Sequence, residues 1–211
     1  MKIFVAGATG RVGQELIKDL TDKSHSVIAG ARHPEKIITN DNVTAVKLDL
    51  HSSVDEIANL MADSEIVYFV AGSRGKDLLQ TDAFGAVKTM QAAEKNEIKR
   101  FIMLSSIYSL QPAEWHREGL AQITDYNIAK FFADNYLINN TSLDYTILQP
   151  TALTEERGTG KINAMNTEIG SNPISDVAAT LSQLIEHPNT INKVIMMSSG
   201  NEQIKDALNR I

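Results

Sequence analysis

Lys2-Ile3-Phe4-Val5-Ala6-Gly7-Ala8-Thr9-Gly10-Arg11-Val12-Gly13-Gln14-Glu15-Leu16-Ile17 is the stretch that decides the fold. Its apolar opening run is strand-like, and Val12, Leu16, Ile17 and Leu20 then recur at helical spacing, so the chain begins as strand, glycine turn, helix. Outward from this unit the alternation continues. Further strands are predicted at Val27–Ala29, Val43–Leu48, Ile66–Ala71, Phe101–Ser105, Tyr145–Leu148 and Val194–Met197. Between them lie predicted helices carrying Val54, Ile57, Ala58 and Met61 (opened by a Ser53/Glu56 capping box), Phe84 to Ala93, Tyr126–Ile138 and Val177–Ile185. Such alternation is expected to build an α/β doubly wound domain with a mostly parallel sheet covered on both faces. The 211 residues suit one domain, 1–211. The roughly sixty residues after Pro150 leave room for a small C-terminal extension but not for a separate substrate domain.

Composition narrows the functional classes. With 43% hydrophobic and 22% charged residues the chain folds rather than staying disordered. The absence of cysteine removes thiolate nucleophiles and cysteine metal sites, and the five histidines show no ligand spacing, so no metal is expected. A net charge of −6 argues against nucleic acid as a partner. Ile66–Ala71 is too short to cross a bilayer, and Met1-Lys2 leads directly into a strand, so a cytoplasmic protein without membrane contact is expected.

Gly7-Ala8-Thr9-Gly10-Arg11-Val12-Gly13 carries the chemistry of the first unit. The first glycine permits the tight turn, the second lets backbone approach a pyrophosphate, and the third lets helix pack on strand beside free N–H groups. Gly7, Thr9, Gly10, Arg11, Val12 and Gly13 are therefore candidate cofactor contacts. Some 20 residues on, where NAD enzymes place a carboxylate for the ribose, this chain reads Ala29-Gly30-Ala31-Arg32-His33. Arg32, with Arg11 as a second cation, is suited to a 2′-phosphate, which favours NADP(H) over NAD(H). Asp49 or the Leu50 amide is placed to meet the adenine edge, unless Asp49 is a plain helix cap.

Leu104-Ser105-Ser106 closes a strand at the edge where open α/β sheets bind ligands, and Tyr126-Asn127-Ile128-Ala129-Lys130 follows. On a helix Tyr126 and Lys130 share a face. Carbonyl reduction leaves an alkoxide that must receive a proton, and a phenol of pKa about 10 serves poorly unless a cation such as Lys130 lowers it. A strand-end serine hydroxyl would orient the substrate oxygen.

With Phe101-Ile102-Met103-Leu104-Ser105-Ser106, Asp144-Tyr145-Thr146-Ile147-Leu148-Gln149-Pro150 and Thr159-Gly160-Lys161, these motifs resemble an atypical short-chain dehydrogenase/reductase of the NmrA/epimerase-like branch, over nearly the whole chain. The resemblance implies a Rossmann-like fold, with Ser106 the catalytic serine, Tyr126 the acid/base and Lys130 the residue holding the nicotinamide ribose. It also implies that Ala71 and Gly72 pass over the cofactor. Asp82 stands where the wider superfamily has a catalytic Asn, and Gln149 where relatives commonly have Arg, expected to alter contacts to cofactor or substrate.

Trp115 and His116 are placed to roof a substrate pocket or to anchor a surface loop, and Glu155-Glu156-Arg157-Gly158 to form a mobile lid. The expected function is an NADP(H)-dependent reductase of a small carbonyl or quinone-like substrate, as monomer or homodimer. The alternative is a non-catalytic NADP(H)-binding redox sensor that signals through a partner protein. A sugar-nucleotide epimerase is disfavoured by the short C-terminal region.

Overall fold

The apolar runs become strands and the periodic stretches helices, in the order β1 (Lys2–Ala6), α1 (Arg11–Asp22), β2 (Ser26–Ala31), β3 (Val43–Lys47), α2 (Val54–Met61), β4 (Ile66–Phe69), α3 (Gly85–Lys95), β5 (Arg100–Leu104), α4 (Thr124–Asn140), β6 (Asp144–Pro150), β7 (Ala152–Thr154), β8 (Lys161–Ala164), β9 (Ser171–Pro173), α5 (Ile174–Gln183), β10 (Lys193–Ser199), β11 (Glu202–Gln203) and α6 (Ile204–Asn209). The computed structural model describes residues 1–165, 168 and 170–211. Among these, no helix is long and apolar enough to cross a membrane.

The main sheet runs β11-β8-β10-β6-β5-β4-β1-β2-β3. From β3 to β10 every pairing is parallel, while β8 and β11 join antiparallel at the far edge. A separate parallel pair, β7 and β9, lies outside it. All seven strands expected from the apolar runs are present. This is a single Rossmann-like α/β domain, with β1 at the point where strand order reverses.

The reason β1 reads as an unbroken apolar run is that both of its faces are buried. Ile3 and Val5 pack with Leu16 of α1 and Val177 and Leu181 of α5. Phe4 and Ala6 pack on the other side with Ile57 of α2, Met90 of α3 and Ala133 of α4. Each large apolar side chain so buried contributes roughly 1.5–3 kcal/mol. The α2 capping box forms as expected: Ser53 Oγ accepts the Glu56 N–H at 3.3 Å, and Glu56 Oε2 accepts the Ser53 N–H at 2.8 Å.

Two expectations are corrected here. The fourth strand stops at Phe69, so Val70 to Gly72 leave the sheet edge as loop. The helix expected from Phe84 begins earlier, as a π-helical segment, Leu78–Phe84, that runs directly into α3.

Candidate functional site

The parallel strands end along one edge, and a cleft follows it in two connected halves of about 410 and 280 Å³. Gly10, Val70, Ala71, Gly72 and Arg74 line both. Arg11, Val12, Ser106, Tyr126 and Lys130 line the larger half; Gly7, Thr9, Arg32, Asp49 and Leu50 line the smaller. Of the candidate site residues, Gly13 alone lines neither.

The glycine turn divides its labour by position. Gly7 has φ +101°, and a Cβ there would stand 2.6 Å from the Ala71 backbone, so only glycine lets the two loops meet. The Gly7 and Ala8 N–H groups both donate to the Gly30 carbonyl at 3.0 Å, pinning the turn to the end of β2. A Cβ on Gly13 would lie 2.3 Å from the Gly7 oxygen; Gly13 thus serves helix packing rather than ligand contact. Gly10 caps α1 without a side-chain bond, and the first turn holds no acidic residue. The first backbone amides of α1 are thereby left to an anion at the positive end of the helix dipole.

In the smaller half Arg32 makes no hydrogen bond or ion pair among the described residues. Asp49 is not the helix cap, because Ser53 is. Its Oδ1 instead accepts the His51 N–H at 2.9 Å and holds the turn that carries Leu50. Arg11 lines the larger half, where its Nη1 donates to Glu155 Oε1 at 2.8 Å. It does not share a wall with Arg32, which corrects the expectation of a two-arginine clasp.

In the larger half, α4 presents Tyr126 and Lys130 on one face. Lys130 is buried, 2% exposed, with Nζ donating to the Leu104 carbonyl at 3.2 Å and lying 5.7 Å from the Tyr126 ring centroid. Burial holds the Tyr126 phenol above its ordinary pKa; Lys130 pulls it down, and Asp82 and Asp134 push it up. The lysine acts in the expected sense, yet desolvation outweighs it. Asp82, fully buried in the π-helical segment, accepts the Ser73 N–H on Oδ2 at 3.0 Å, and its Oδ1 has no partner among the described residues.

Ser105 and Ser106 both border the cleft but differ in freedom. Ser105 Oγ donates to Asp134 Oδ2 at 2.6 Å, as Ser109 Oγ does at 2.5 Å, while the Ser106 hydroxyl is bonded to nothing among the described residues. Gln149 Nε2 completes this buried cluster, 2.6 Å from Ser109 Oγ and 3.2 Å from Asp134 Oδ2. Its contacts are with this network, and it does not line the cleft wall. Asp134 escaped the sequence reading. Its spacing of four beyond Lys130 on the Tyr126 face was the available signal.

Of the two readings open for Trp115, the loop anchor is the one seen. The Trp115 Nε1–H donates to the Tyr108 carbonyl at 2.8 Å and its ring meets Phe131 edge-on at 6.1 Å, anchoring a loop; Gly119, Leu120 and Ile123 form that cleft wall instead. His116 bonds locally to the Ala113 carbonyl. Just past the Glu155–Gly158 segment, the Thr159 and Gly160 N–H groups both donate to the Asp176 carboxylate at 2.9 Å.

Residues 7–188 match the profile of a family described as NAD(P)H-binding. The crystal structure of the oxidoreductase ylbE from Lactococcus lactis is similar to this chain with a TM-score of 0.97 and 48% identity, covering 100% of this chain and 96% of that one. The uncharacterized sugar epimerase YhfK of Bacillus subtilis is 32% identical over 219 residues, 100% of each chain. The UPF0659 protein YMR090W of Saccharomyces cerevisiae is 33% identical over 221 residues, 97% of this chain and 96% of its own.

Proposed function

Because the chain belongs to the NAD(P)H-binding family and is an atypical short-chain dehydrogenase/reductase, we propose that it uses NADP(H) to reduce a small carbonyl or quinone-like substrate. The observation that carries this reading is the buried Lys130 ammonium behind Tyr126, with the Ser106 hydroxyl, unbonded among the described residues, on the same cleft.

The cleft fits a dinucleotide. Gly10 and the uncapped start of α1 suit the pyrophosphate, Gly7 and Gly72 allow close backbone approach, and Arg32 suits the 2′-phosphate of NADP(H). When bound, the reduced nicotinamide supplies a hydride. The Ser106 hydroxyl donates a hydrogen bond to the substrate oxygen, orienting it and favouring the charge that develops there. Tyr126 Oη then gives its proton to that oxygen, and Lys130 stabilises the phenolate left behind. Burial keeps Tyr126 protonated at neutral pH, so it holds the proton that the alkoxide takes, and the Lys130 charge offsets part of the desolvation that would otherwise weaken it as an acid. Apolar Leu120, Ile123 and Leu153 line the cleft around the reacting centre.

The experiment is a screen of aldehydes, ketones and quinones with NADPH, followed by Tyr126→Phe on any substrate that responds. Turnover is expected to fall by at least about a hundredfold, with NADPH affinity preserved. Retained turnover would remove Tyr126 from the chemistry. The carboxylate of Asp82, in place of an amide, favours the second reading, a sensor that binds NADP(H) without turnover. Tight binding with no responsive substrate would select it.

A further inference from the structure

Asp134 is a fully buried carboxylate that the mechanism above does not use. It lies one helical turn beyond Lys130 and two beyond Tyr126, so the three form a single stripe on α4. Its Oδ2 takes hydrogen bonds from Ser105, Ser109 and Gln149, while Oδ1 has no partner among the described residues. Ser105 and Ser109 flank Ser106 in sequence. The turn between them closes with the Ser109 N–H on the Ser106 carbonyl at 3.1 Å.

We propose that Asp134 is a positioning residue for the Ser106, Tyr126 and Lys130 site. Through the hydroxyls of Ser105 and Ser109 it fixes the turn that presents Ser106, and its charge adds to those of Lys130 and Asp82 beside Tyr126. The proposal rests on the catalytic reading of those three residues, but its test does not require turnover.

The surroundings leave Asp134 open to titration. Burial pushes its carboxyl up to about 6, against the Ser105 and Ser109 hydrogen bonds, the Lys130 charge and the Gln149 amide. Lys130, on the same helix, is the charge that acts on it directly. The loop after β5 brings the serine hydroxyls and β6 brings Gln149, and α3 offers α4 the neutral Gln91, bonded to Tyr136 at 3.0 Å. The π-helical segment packed on α4 supplies Asp82, which, like Asp134, raises the Tyr126 phenol. Filling or emptying Asp134 therefore changes the charge beside the site within the range of ordinary working pH.

The test is a pH titration by NMR of the full chain labelled at tyrosine Cζ with carbon-13, the Tyr126 signal being the one lost in Tyr126→Phe. In the wild type this signal should show an inflection near pH 6, where Asp134 ionises. In Asp134→Asn the inflection should vanish and the phenol should titrate at lower pH than in the wild type. Ser109→Ala keeps the carboxylate but deletes a hydrogen bond that lowers its pKa, so the inflection should move upward; this variant carries the test if Asp134→Asn does not fold. An inflection that persists in Asp134→Asn, a phenol titration it leaves unmoved, or an inflection unmoved in Ser109→Ala would overturn the proposal. Failure of the catalytic reading has a different signature, undiminished turnover in Tyr126→Phe, and leaves these shifts in place.

Discussion

Replacing Asp134 with Asn should change how stability depends on pH, and the size of the change follows from burial. In the unfolded chain the carboxyl titrates at its ordinary 3.8; in the folded protein burial moves it to about 6. Between those values the native state holds a proton that the unfolded state has released, so unfolding loses a proton and stability falls as pH rises. Above the folded pKa the dependence ends. A gap of about two pKa units is worth about 3 kcal/mol, at roughly 1.4 kcal/mol each. Asn keeps an oxygen for the Ser105 and Ser109 hydroxyls but cannot titrate, so its own cost or benefit is constant with pH. Urea denaturation of both proteins at steps from pH 4 to 7.5 isolates the group, since every other carboxyl cancels in the difference. Because the unfolded carboxyl is already partly ionised at pH 4, the wild type should lose about 2.5 kcal/mol relative to the variant across that interval. A flat difference would refute the reasoning. A difference of opposite sign would mean that the three donors and Lys130 outweigh desolvation and hold the carboxylate ionised.

Calorimetry should find NADPH bound at least about tenfold tighter than NADH, with Arg32→Ala abolishing the preference at a cost of about 1–3 kcal/mol for the 2′-phosphate contact. Gly10→Val should leave the circular dichroism spectrum intact, because Gly10 has an ordinary φ of −70° in a part-exposed turn and the close 3.1 Å approach of a Cβ to the Gly7 oxygen asks only a small local shift, while nucleotide titration shows binding lost. Gly13→Ala should instead lower thermal stability, because its Cβ would press the Gly7 backbone at 2.3 Å. Glu155→Gln should barely change stability, as the pair is exposed. It should, however, tighten NADPH binding severalfold in the same titration by releasing Arg11 from its carboxylate.

What the sequence discloses about this fold is what repeats locally. The seven parallel strands are legible because strands buried on both faces must be apolar throughout, as β1 and β4 are. β7, β8, β9, β11 and α6 are not, because they are short and several are polar; Lys161 and Asn163 pair at a sheet edge with nothing periodic to mark them. Tyr126 and Lys130 can be found from their spacing, and Gly7 and Gly13 from their turn. The Ser105, Ser109, Asp134 and Gln149 cluster is hidden because only the adjacency of β5 and β6, with α4 packed over them, brings together side chains so far apart along the chain. The net direction of the Tyr126 phenol was hidden for a related reason. Desolvation depends on enclosure by several elements, whereas the opposing lysine is visible one turn away.

The π-helical winding of Leu78–Phe84 gives the chain's length here a chemical meaning. An α-helix advances each side chain by about 100°, and a π segment accommodates one residue more than the α register would. Deleting Ala83 would let the segment relax into the register of α3 and swing Asp82 by about that angle. The carboxylate would leave the Ser73 amide and the rim of the cleft, and the peptide N–H it now satisfies would need water or another acceptor. Shortening this segment by one residue would thus alter the charge beside Tyr126 as thoroughly as a substitution at Asp82, with every cleft side chain still encoded.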